Sequence, residues 1–428
     1  MEERFLYHIW DEGHLSHQLK TVCGKDLRIV YQGQFNTGRG PDFKNAIIEL
    51  DGEQLRGDIE IHLKTRDWQA HNHHEDIHYN QVILHVVLSH NSTYELTIRE
   101  DGGAAPILEL ENQLSDDIKK LVMEHDGDSK PAVYCELLSA IDKDHLELIL
   151  LRAGINRFES KIKRFNTALS LSSFDQIFYE GIFEALGYSK NKLNTLSIAQ
   201  NLPLLLLREF KEVGMTQEEL FSIYLGSSGL LYRSSEIISA EDRKRAQSIY
   251  ESQTWYAKKL DLDWQLFRIR PQSHPLIRLQ HISSLIYHCL DEGLFKAFLR
   301  FTSSHDELLK GFRAIWKEGA LSPELPQIKL GKSVQDNIYI NIFLPILTLW
   351  YRKMGEKDSP AIEAYKSFNA LQDNYITRFM HRYLSPSHVT LANSKAVYQQ
   401  GLMDIYHRFC SWHLCKQCME KQARNLSI

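Results

Sequence analysis

The sequence is poor in cysteine, in long apolar runs and in excess positive charge, and each shortage excludes a class of protein. Six cysteines in 428 residues, three of them bunched near the C-terminus, do not form a secreted disulfide framework, so a reducing cytoplasm is expected. The longest apolar stretch, residues 338–351, is interrupted by Asn341 and Pro345 and is shorter than the roughly 20 residues that span a bilayer. The first residues lack the apolar core of a signal peptide. The sequence therefore predicts a cytoplasmic protein without a membrane span.

The charge balance does not favour a protein that binds DNA over a broad surface. Such proteins usually present a basic face, whereas this chain has a formal net charge of −5. Hydrophobic residues make up 43% and charged residues 25%, so the chain can build ordinary globular cores without disulfides. A length of 428 residues predicts two or three domains.

The first part of the sequence alternates between helix and strand patterns. Apolar residues at helical spacing predict a helix within residues 3–19. Residues 27–31, 46–50 and 55–63 predict three strands, and Asp51-Gly52 predicts a hairpin turn between the last two. A short helix is expected near residues 74–80, the continuous apolar run 82–88 predicts a buried strand, and residues 93–99 are a candidate for one more. The prediction is an α/β domain with a mixed sheet in the order α-β-β-β-α-β.

The second part of the sequence has the patterns of helices. Residues 126–131 lack periodicity and contain glycine and proline, so they predict a linker between an α/β domain at 1–128 and a mostly α-helical domain at 129–428. Thr216 and Glu219 form a capping box that predicts a helix start. One apolar stripe recurs at helical spacing: Leu146, Ile149, Leu150, Ala153, Phe158, Ile162 and Phe165.

Polar residues alternate along the third predicted strand. Asp58, Glu60 and His62 are separated by apolar residues, and the period of two places them on one face of the sheet. Asp42 follows Pro41 at the start of the preceding strand. Carboxylates on adjacent strands can share a divalent cation, which lowers the pKa of a bound water and neutralises a phosphate. The sequence therefore predicts a Mg²⁺ or Mn²⁺ site at Asp42 and Glu60, with His62 as a third group.

This order of elements, with Pro41-Asp42 before one strand and Glu60 on the next, resembles the core of the PD-(D/E)xK nuclease superfamily. The resemblance implies a restriction-endonuclease-like fold and metal-dependent cleavage of nucleic acid. The chain departs from the motif because His62, rather than lysine, stands two residues after Glu60. His62 could act as a base, a metal ligand or a cation, and Lys64 on the same face could supply the positive charge.

Histidines are concentrated in the same region, where seven of the 20 lie between His62 and His90. His71, His85 and Asp76 are the candidates for a supporting role. His85 interrupts the apolar run 82–88 and therefore needs a polar partner, which a core histidine can also find without any function. A zinc hydrolase that uses His62, His71 and His85 is an alternative, although the chain has no H-E-x-x-H helix.

Three cysteines near the end of the chain form a second candidate metal site. Cys410, Cys415 and Cys418 have the spacing C-x₄-C-x₂-C, which suits zinc or an iron–sulfur cluster. Reduced thiols on a C-terminal helix would explain the same pattern without a metal. Three residues are candidates for a fourth ligand: His407, His413 and Cys135.

Several segments together are similar to an uncharacterised bacterial family, the DUF2851 type of domain of unknown function. The matching segments are residues 40–43, 57–62, 67–71, 79–87 and 399–402. The resemblance implies a family and no activity, so three functions stay open. The first is a divalent-metal-dependent nuclease with Asp42, Glu60 and His62 as catalytic residues. The second is an inactive nuclease-fold module that binds nucleic acid or protein, and the third is a metal-dependent hydrolase of a small substrate.

Overall fold

The computed structural model divides the chain into two compact units. The first, here the sheet unit, comprises Met1–Ile149, Tyr375–Val389 and Leu402–Ile428, and the second, the helical unit, comprises Leu150–Asn374 and Thr390–Gly401. The structure describes residues 3–11, 19–36, 38–111, 113–114, 135, 138, 141–188, 190–233, 237–252, 258–267, 269–270, 273–303, 307–323, 325–356, 360–412, 415 and 418–419.

This division differs from the predicted domains at 1–128 and 129–428. The predicted boundary lies outside the described residues, whereas two segments near the C-terminus belong to the sheet unit. Patterns along the sequence could not reveal this, because they report local structure and not where a later segment returns.

Eight strands in the described residues form one mixed sheet. They are β1 (Leu19–Lys20), β2 (Asp26–Tyr31), β3 (Gln34–Phe35), β4 (Phe43–Leu50), β5 (Glu53–Lys64), β6 (Val82–Ser89), β7 (Leu96–Ile98) and β8 (Ala104–Glu109). Their order is β1-β2-β4-β5-β6-β8-β7, with β3 also paired to β4. Strands β5, β6 and β8 are parallel, and the other pairs are antiparallel. Helix α1 (Glu3–Asp11) precedes the sheet, so the predicted α/β arrangement is confirmed.

Two backbone features of β4 determine how it meets β5. Asp51 and Gly52 both have positive φ, at 50° and 84°, as the predicted two-residue hairpin requires. At the other end, the register shifts by one residue between Phe43 and Ala46, where Asn45 has a φ of 57°. This β-bulge sets Phe43 opposite Ile59.

The segment after β5 differs from the single short helix that was expected. It forms helix α2 (Asp67–Ala70) and two 3₁₀ turns, His73–Glu75 and Ile77–Tyr79. Asn72 adopts the left-handed conformation before the first turn, and the side chain of Asp76 caps the second by accepting from the N–H of His78. Strand β8 was not expected at all, because Pro106 lies inside it.

The rest of the described structure is mostly helical, as predicted. Its helices are α3 (Lys143–Leu169), α4 (Phe174–Leu186), α5 (Lys192–Asn201), α6 (Leu204–Glu212), α7 (Gln217–Ser227), α8 (Ala240–Ser252), α9 (Pro275–Cys289), α10 (Leu294–Ser303), α11 (Leu308–Ala314), α12 (Lys332–Ile338), α13 (Leu344–Lys353), α14 (Pro360–Ser367), α15 (Tyr375–His381), α16 (Pro386–Ala392) and α17 (Ala396–Arg408).

Two predictions about these helices are confirmed. The seven residues of the apolar stripe are all buried on α3, and Thr216 and Glu219 form the capping box of α7. None of the described helices combines the length and the apolar character that a membrane crossing needs.

Candidate metal centre

The carboxyl groups of Asp42 and Glu60 meet on one face of the sheet. The backbone N–H of Asp42 donates to Glu60 Oε2 at 3.0 Å, and the N–H of Ile61 donates to Asp42 Oδ2 at 2.9 Å. Burial and then the charge of Glu60 raise the pKa of Asp42 to about 8. Burial likewise raises the pKa of Glu60 to about 8. Near neutral pH the pair therefore retains protons that ordinary carboxyl groups would have lost.

Three imidazoles surround the same carboxyl pair. His62 Nε2 lies 3.4 Å and His73 Nε2 lies 3.2 Å from Glu60 Oε1, and His71 Nδ1 lies 3.2 Å from His62 Nε2. Among the described residues, His62, His71 and His73 form the group whose candidate ligand atoms all lie within 4.8 Å of one another. We call these three residues the histidine cluster. Because His62 is buried and His71 is exposed, the cluster runs from the sheet to the solvent.

A second layer of polar groups orients His62. His62 Nδ1 lies 2.9 Å from His85 Nε2, and His85 Nδ1 lies 2.8 Å from the hydroxyl of Thr97. Burial lowers the pKa of His62 to about 2 and that of His85 to about 3, so both rings are neutral. The protons in this series of hydrogen bonds can be arranged in two ways. In one of them, His85 donates to Thr97 and accepts from His62. The Nε2 atom of His62 then presents a lone pair to the Glu60 side. Metal ligation requires that arrangement.

Comparison with known proteins gives a family. A family model described as "Protein of unknown function (DUF2851)" matches residues 3–374. The chain belongs to this family. No curated protein and no solved structure matches the chain significantly. The predicted DUF2851 resemblance is thus confirmed, whereas the PD-(D/E)xK resemblance stays a prediction.

The DUF2851 match includes the carboxyl pair, the histidine cluster and Cys135, and it ends before the segment 399–402 and the three C-terminal cysteines. Cys410 begins a 3₁₀ turn that ends at Trp412, Cys415 is exposed and Cys418 is buried. His413, one candidate for a fourth ligand, lies outside the described residues.

Two predicted supporting residues of the DUF2851 chain do not join the cluster. Lys64 is exposed at the end of β5, where its backbone N–H donates to Asp67 Oδ2 at 2.9 Å. Asp76 accepts from Arg39 at 3.1 Å and pairs with the His78 ring at 2.7 Å. Burial opposes ionisation of Asp76, but the bonds from His78 and Arg39 lower its pKa to about 2. Burial lowers the pKa of His73, and the charges of Asp42 and Asp76 partly oppose that shift.

Three groups near the site were missed by sequence reasoning. His73 was not among the candidate site residues, yet its side chain is only 12% exposed and contacts Glu60. Tyr7 on α1 is hydrogen-bonded to Asp42, and burial raises the pKa of its phenol. Lys44 donates to Asp58 Oδ2 at 2.8 Å, and its charge lowers the pKa of Glu60. The spacing of Lys44, two residues after Asp42, was a signal that could have been used.

Proposed function

We propose that this DUF2851 protein is a divalent-metal-dependent phosphodiesterase that cleaves nucleic acid. The observation that carries the proposal is the convergence of two raised-pKa carboxyls and three imidazoles in one place on the sheet. Strongly perturbed ionisable groups that share a cleft are typical of functional sites. A divalent cation would stabilise the ionised carboxyls, which the burial of the site otherwise disfavours.

The donor set fits a transition-metal ion better than magnesium. Mg²⁺ prefers oxygen ligands, whereas imidazole nitrogen suits manganese, iron or zinc. Glu60, His62 and His73 would hold the ion, with His71 at the solvent side and Asp42 beside Glu60. Of the two metals predicted for the site, Mn²⁺ is therefore the better fit. When bound, the ion would supply charge neutralisation at a phosphate and a lower pKa for an attacking water.

Other side chains of the protein orient the ligands and supply positive charge near the site. His85 and Thr97 hold the ring of His62 in place, and both histidine rings are buried and neutral. His71 is the exposed ring of the cluster, at its solvent side. Lys44 and Arg39 lie near the carboxyl pair and the loop before β4, where positive charge would attract a phosphodiester.

The order of the elements supports nucleic acid as the substrate. When the two-residue strands β1 and β3 are left aside, helix α1, strands β2, β4 and β5, the helical segment at α2 and strand β6 have the order α-β-β-β-α-β. That is the order that the PD-(D/E)xK resemblance implies, with Asp42 and Glu60 at the positions of its two acids. The positive charge of the missing lysine would come from Lys44 on β4.

A metal-dependent hydrolase of a small substrate is the second candidate. Three histidines around one carboxylate also suit a zinc hydrolase, in which three protein ligands leave a fourth position open. The set observed is His62, His71 and His73, so His85 of the predicted zinc triad is replaced by His73. His85 instead lies behind His62.

The test is cleavage of nucleic acid by chelator-treated, metal-reloaded protein. Labelled single- and double-stranded DNA and RNA would be incubated with the protein and Mn²⁺, Zn²⁺ or Mg²⁺. We expect cleavage with Mn²⁺ and a loss of more than about 100-fold in Glu60→Gln and Asp42→Asn, since even outer-shell partners of a metal cost 10–100-fold.

The matched control is Glu49→Gln, which changes an acid that pairs with Arg28 near the end of β4 opposite to Asp42. This variant should retain activity. Binding of Mn²⁺ by calorimetry, with no cleavage of any of the four nucleic acids, would overturn the nuclease proposal and leave the small-substrate hydrolase or the binding module.

A further inference from the structure

Three aromatic rings from different elements of the sheet unit pack together beside the carboxyl pair. The ring centroid of Phe35 on β3 lies 5.6 Å from that of Tyr7 on α1 and 5.4 Å from that of Phe43 on β4. The centroids of Tyr7 and Phe43 are 6.4 Å apart. Phe43 is completely buried, whereas Phe35 is 44% exposed, so these rings lead from the core to the surface. We call the three residues the aromatic cluster.

The aromatic cluster is joined to the carboxyl pair at two points. The phenol of Tyr7 is hydrogen-bonded to Asp42. The residue after Phe35 is Asn36, whose backbone N–H donates to the carbonyl oxygen of Asp42 at 2.7 Å. In the antiparallel register of β3 and β4, Phe35 pairs with Phe43, the residue that follows Asp42. The exposed ring of Phe35 therefore lies on the segment next to an acid of the candidate metal centre.

The loop that follows Phe35 is held by Asn36 and carries a positive charge. The side-chain amide of Asn36 donates to the carbonyl oxygens of Arg39 at 3.1 Å and Pro41 at 2.9 Å. Arg39 pairs with Asp76, and its side chain is 64% exposed. Because a guanidinium has five N–H donors, Arg39 can hold Asp76 and still donate to a phosphate. The exposed ring and an exposed cation thus lie a few residues apart on one ordered segment.

An aromatic ring beside cations is the combination with which proteins bind single-stranded nucleic acid. The cations contact the phosphate backbone and the ring stacks on a base, whatever its identity, because every base has a π-face. Arg39 and Lys44 are the cations near Phe35. In a duplex, a base has to be unpaired and unstacked before it can meet such a ring, which costs free energy. A single strand offers its bases without that cost.

We infer that Phe35 stacks on a nucleobase next to the scissile phosphate, so that the protein acts on single-stranded nucleic acid in preference to duplex. This inference rests on the proposed phosphodiesterase function and adds the class of substrate. Tyr7 and Phe43 support the ring from the protein side, which reduces the ordering that base binding requires. The net charge of −5 agrees with the inference, because stacking supplies part of the affinity that a broad basic face gives to duplex binders.

The experiment is a binding titration that does not depend on cleavage. The full-length, metal-free Glu60→Gln protein would be titrated into fluorescent single- and double-stranded DNA and RNA of one sequence, and into a strand of abasic nucleotides. We expect the single strand to bind at least about fivefold more tightly than the duplex or the abasic strand. Phe35→Leu in the same background should weaken single-strand binding at least about fivefold, whereas Phe35→Trp should retain it.

Tyr94→Leu is the matched control, since it removes a 67% exposed aromatic ring from the turn before β7 and should leave binding unchanged. Duplex bound as tightly as the single strand, or single-strand binding unchanged in folded Phe35→Leu, would overturn the inference even if the protein cleaves nucleic acid. Weaker single-strand binding in Phe35→Leu, with no cleavage by the Mn²⁺-loaded native protein, would support the stacking site and refute the phosphodiesterase function. The two proposals therefore fail in different measurements.

Discussion

Glu60 in the sheet unit and Glu184 in the helical unit are buried to similar degrees, 5% and 9% exposed, but their surroundings differ. Glu184 accepts two hydrogen bonds from Arg164, at 3.1 and 2.9 Å, and one from Lys192 at 2.9 Å. Burial alone would raise the pKa of Glu184, but these cations lower it to about 2. Glu60 faces Asp42 and neutral imidazoles instead, and its pKa is about 8.

The comparison separates two uses of a buried acid. Glu184 is ionised and pairs with Arg164 and Lys192 of the same unit, and because its folded pKa is lowered from 4.5, its ionisation favours the folded state at neutral pH. The ionised form of Glu60 lacks a comparable match in the described residues, and a divalent cation from solution would provide it. A pKa shift in opposite directions for the same residue type thus distinguishes a structural acid from a candidate ligand.

The largest expected effect comes from removing the charge of Glu184. At neutral pH, Glu184→Gln should lower the free energy of unfolding by about 3 kcal/mol, because it removes the carboxylate charge that pairs with the partly buried Arg164. The figure is at the lower end for a buried pair, since the side chain of Lys192 is 39% exposed. Urea denaturation of the metal-free protein would measure the change.

Glu60→Gln is the matched variant for that measurement. An amide resembles the protonated carboxyl in shape and charge, so the cost should stay below about 1 kcal/mol without metal. Equal destabilisation by both variants would contradict the distinction between the two acids.

The next largest effect is the pH dependence of stability and of Mn²⁺ affinity that arises from the carboxyl pair. Because the folded pKa values of Asp42 and Glu60 are raised above 3.8 and 4.5, the stability that they contribute is present at low pH and is lost as the pH rises through about 8. A bound cation must displace the retained protons, so the affinity for Mn²⁺ should rise about tenfold per pH unit for each proton released, up to about pH 8. Calorimetric titration at several pH values tests this.

The histidines change the stability with pH in the opposite direction and over a different pH range. The folded pKa values of His62 and His85 lie below 6.5, so their contribution to stability is present above pH 6.5 and is lost as the pH falls toward about 3. Glu60→Gln should flatten the rise in Mn²⁺ affinity above pH 6.5, where these histidines are already neutral. A slope unchanged by that variant would show that the protons come from other groups.

The smallest effect concerns the hydroxyl behind His85. Thr97→Val keeps the shape of the side chain but removes the group 2.8 Å from His85 Nδ1. Since outer-shell partners of metal ligands contribute 10–100-fold, we expect Mn²⁺ affinity to fall about tenfold. The exposed Thr93→Val is a suitable control, because it lies in the turn before β7. An unchanged Mn²⁺ affinity in Thr97→Val would show that this hydroxyl does not contribute to metal binding.

Sequence patterns predicted the parts of this site that depend on local periodicity. The period of two along β5 predicted that Asp58, Glu60 and His62 share one face, and the structure brings His62 Nε2 within 3.4 Å of Glu60 Oε1. The hydrogen bonds between Asp42 and Glu60 likewise follow from adjacent strands joined by a short hairpin. Contacts between adjacent strands can be predicted from the sequence because the strand geometry determines them.

The features that sequence patterns did not predict depend on unusual backbone conformations and on contacts between segments that are distant in sequence. His73 contacts Glu60 directly after Asn72, which takes a left-handed conformation that periodicity does not reveal. Strand β8 contains a proline and pairs with β6 across intervening residues. The return of the C-terminal segments to the sheet unit is also a long-range event. Each of these is determined by tertiary packing and not by the local sequence.

Because of the β-bulge at Asn45, the site depends on the number of residues in β4 as well as on their identity. With the bulge, the register that pairs Phe43 with Ile59 continues to bring Asp42 opposite Glu60. A straight β4 would advance by one residue and present Phe43 to Glu60 instead, with the carboxyl of Asp42 turned to the other face. Descendants of this sequence could therefore keep both acids and still lose the centre through a single change that straightens the strand.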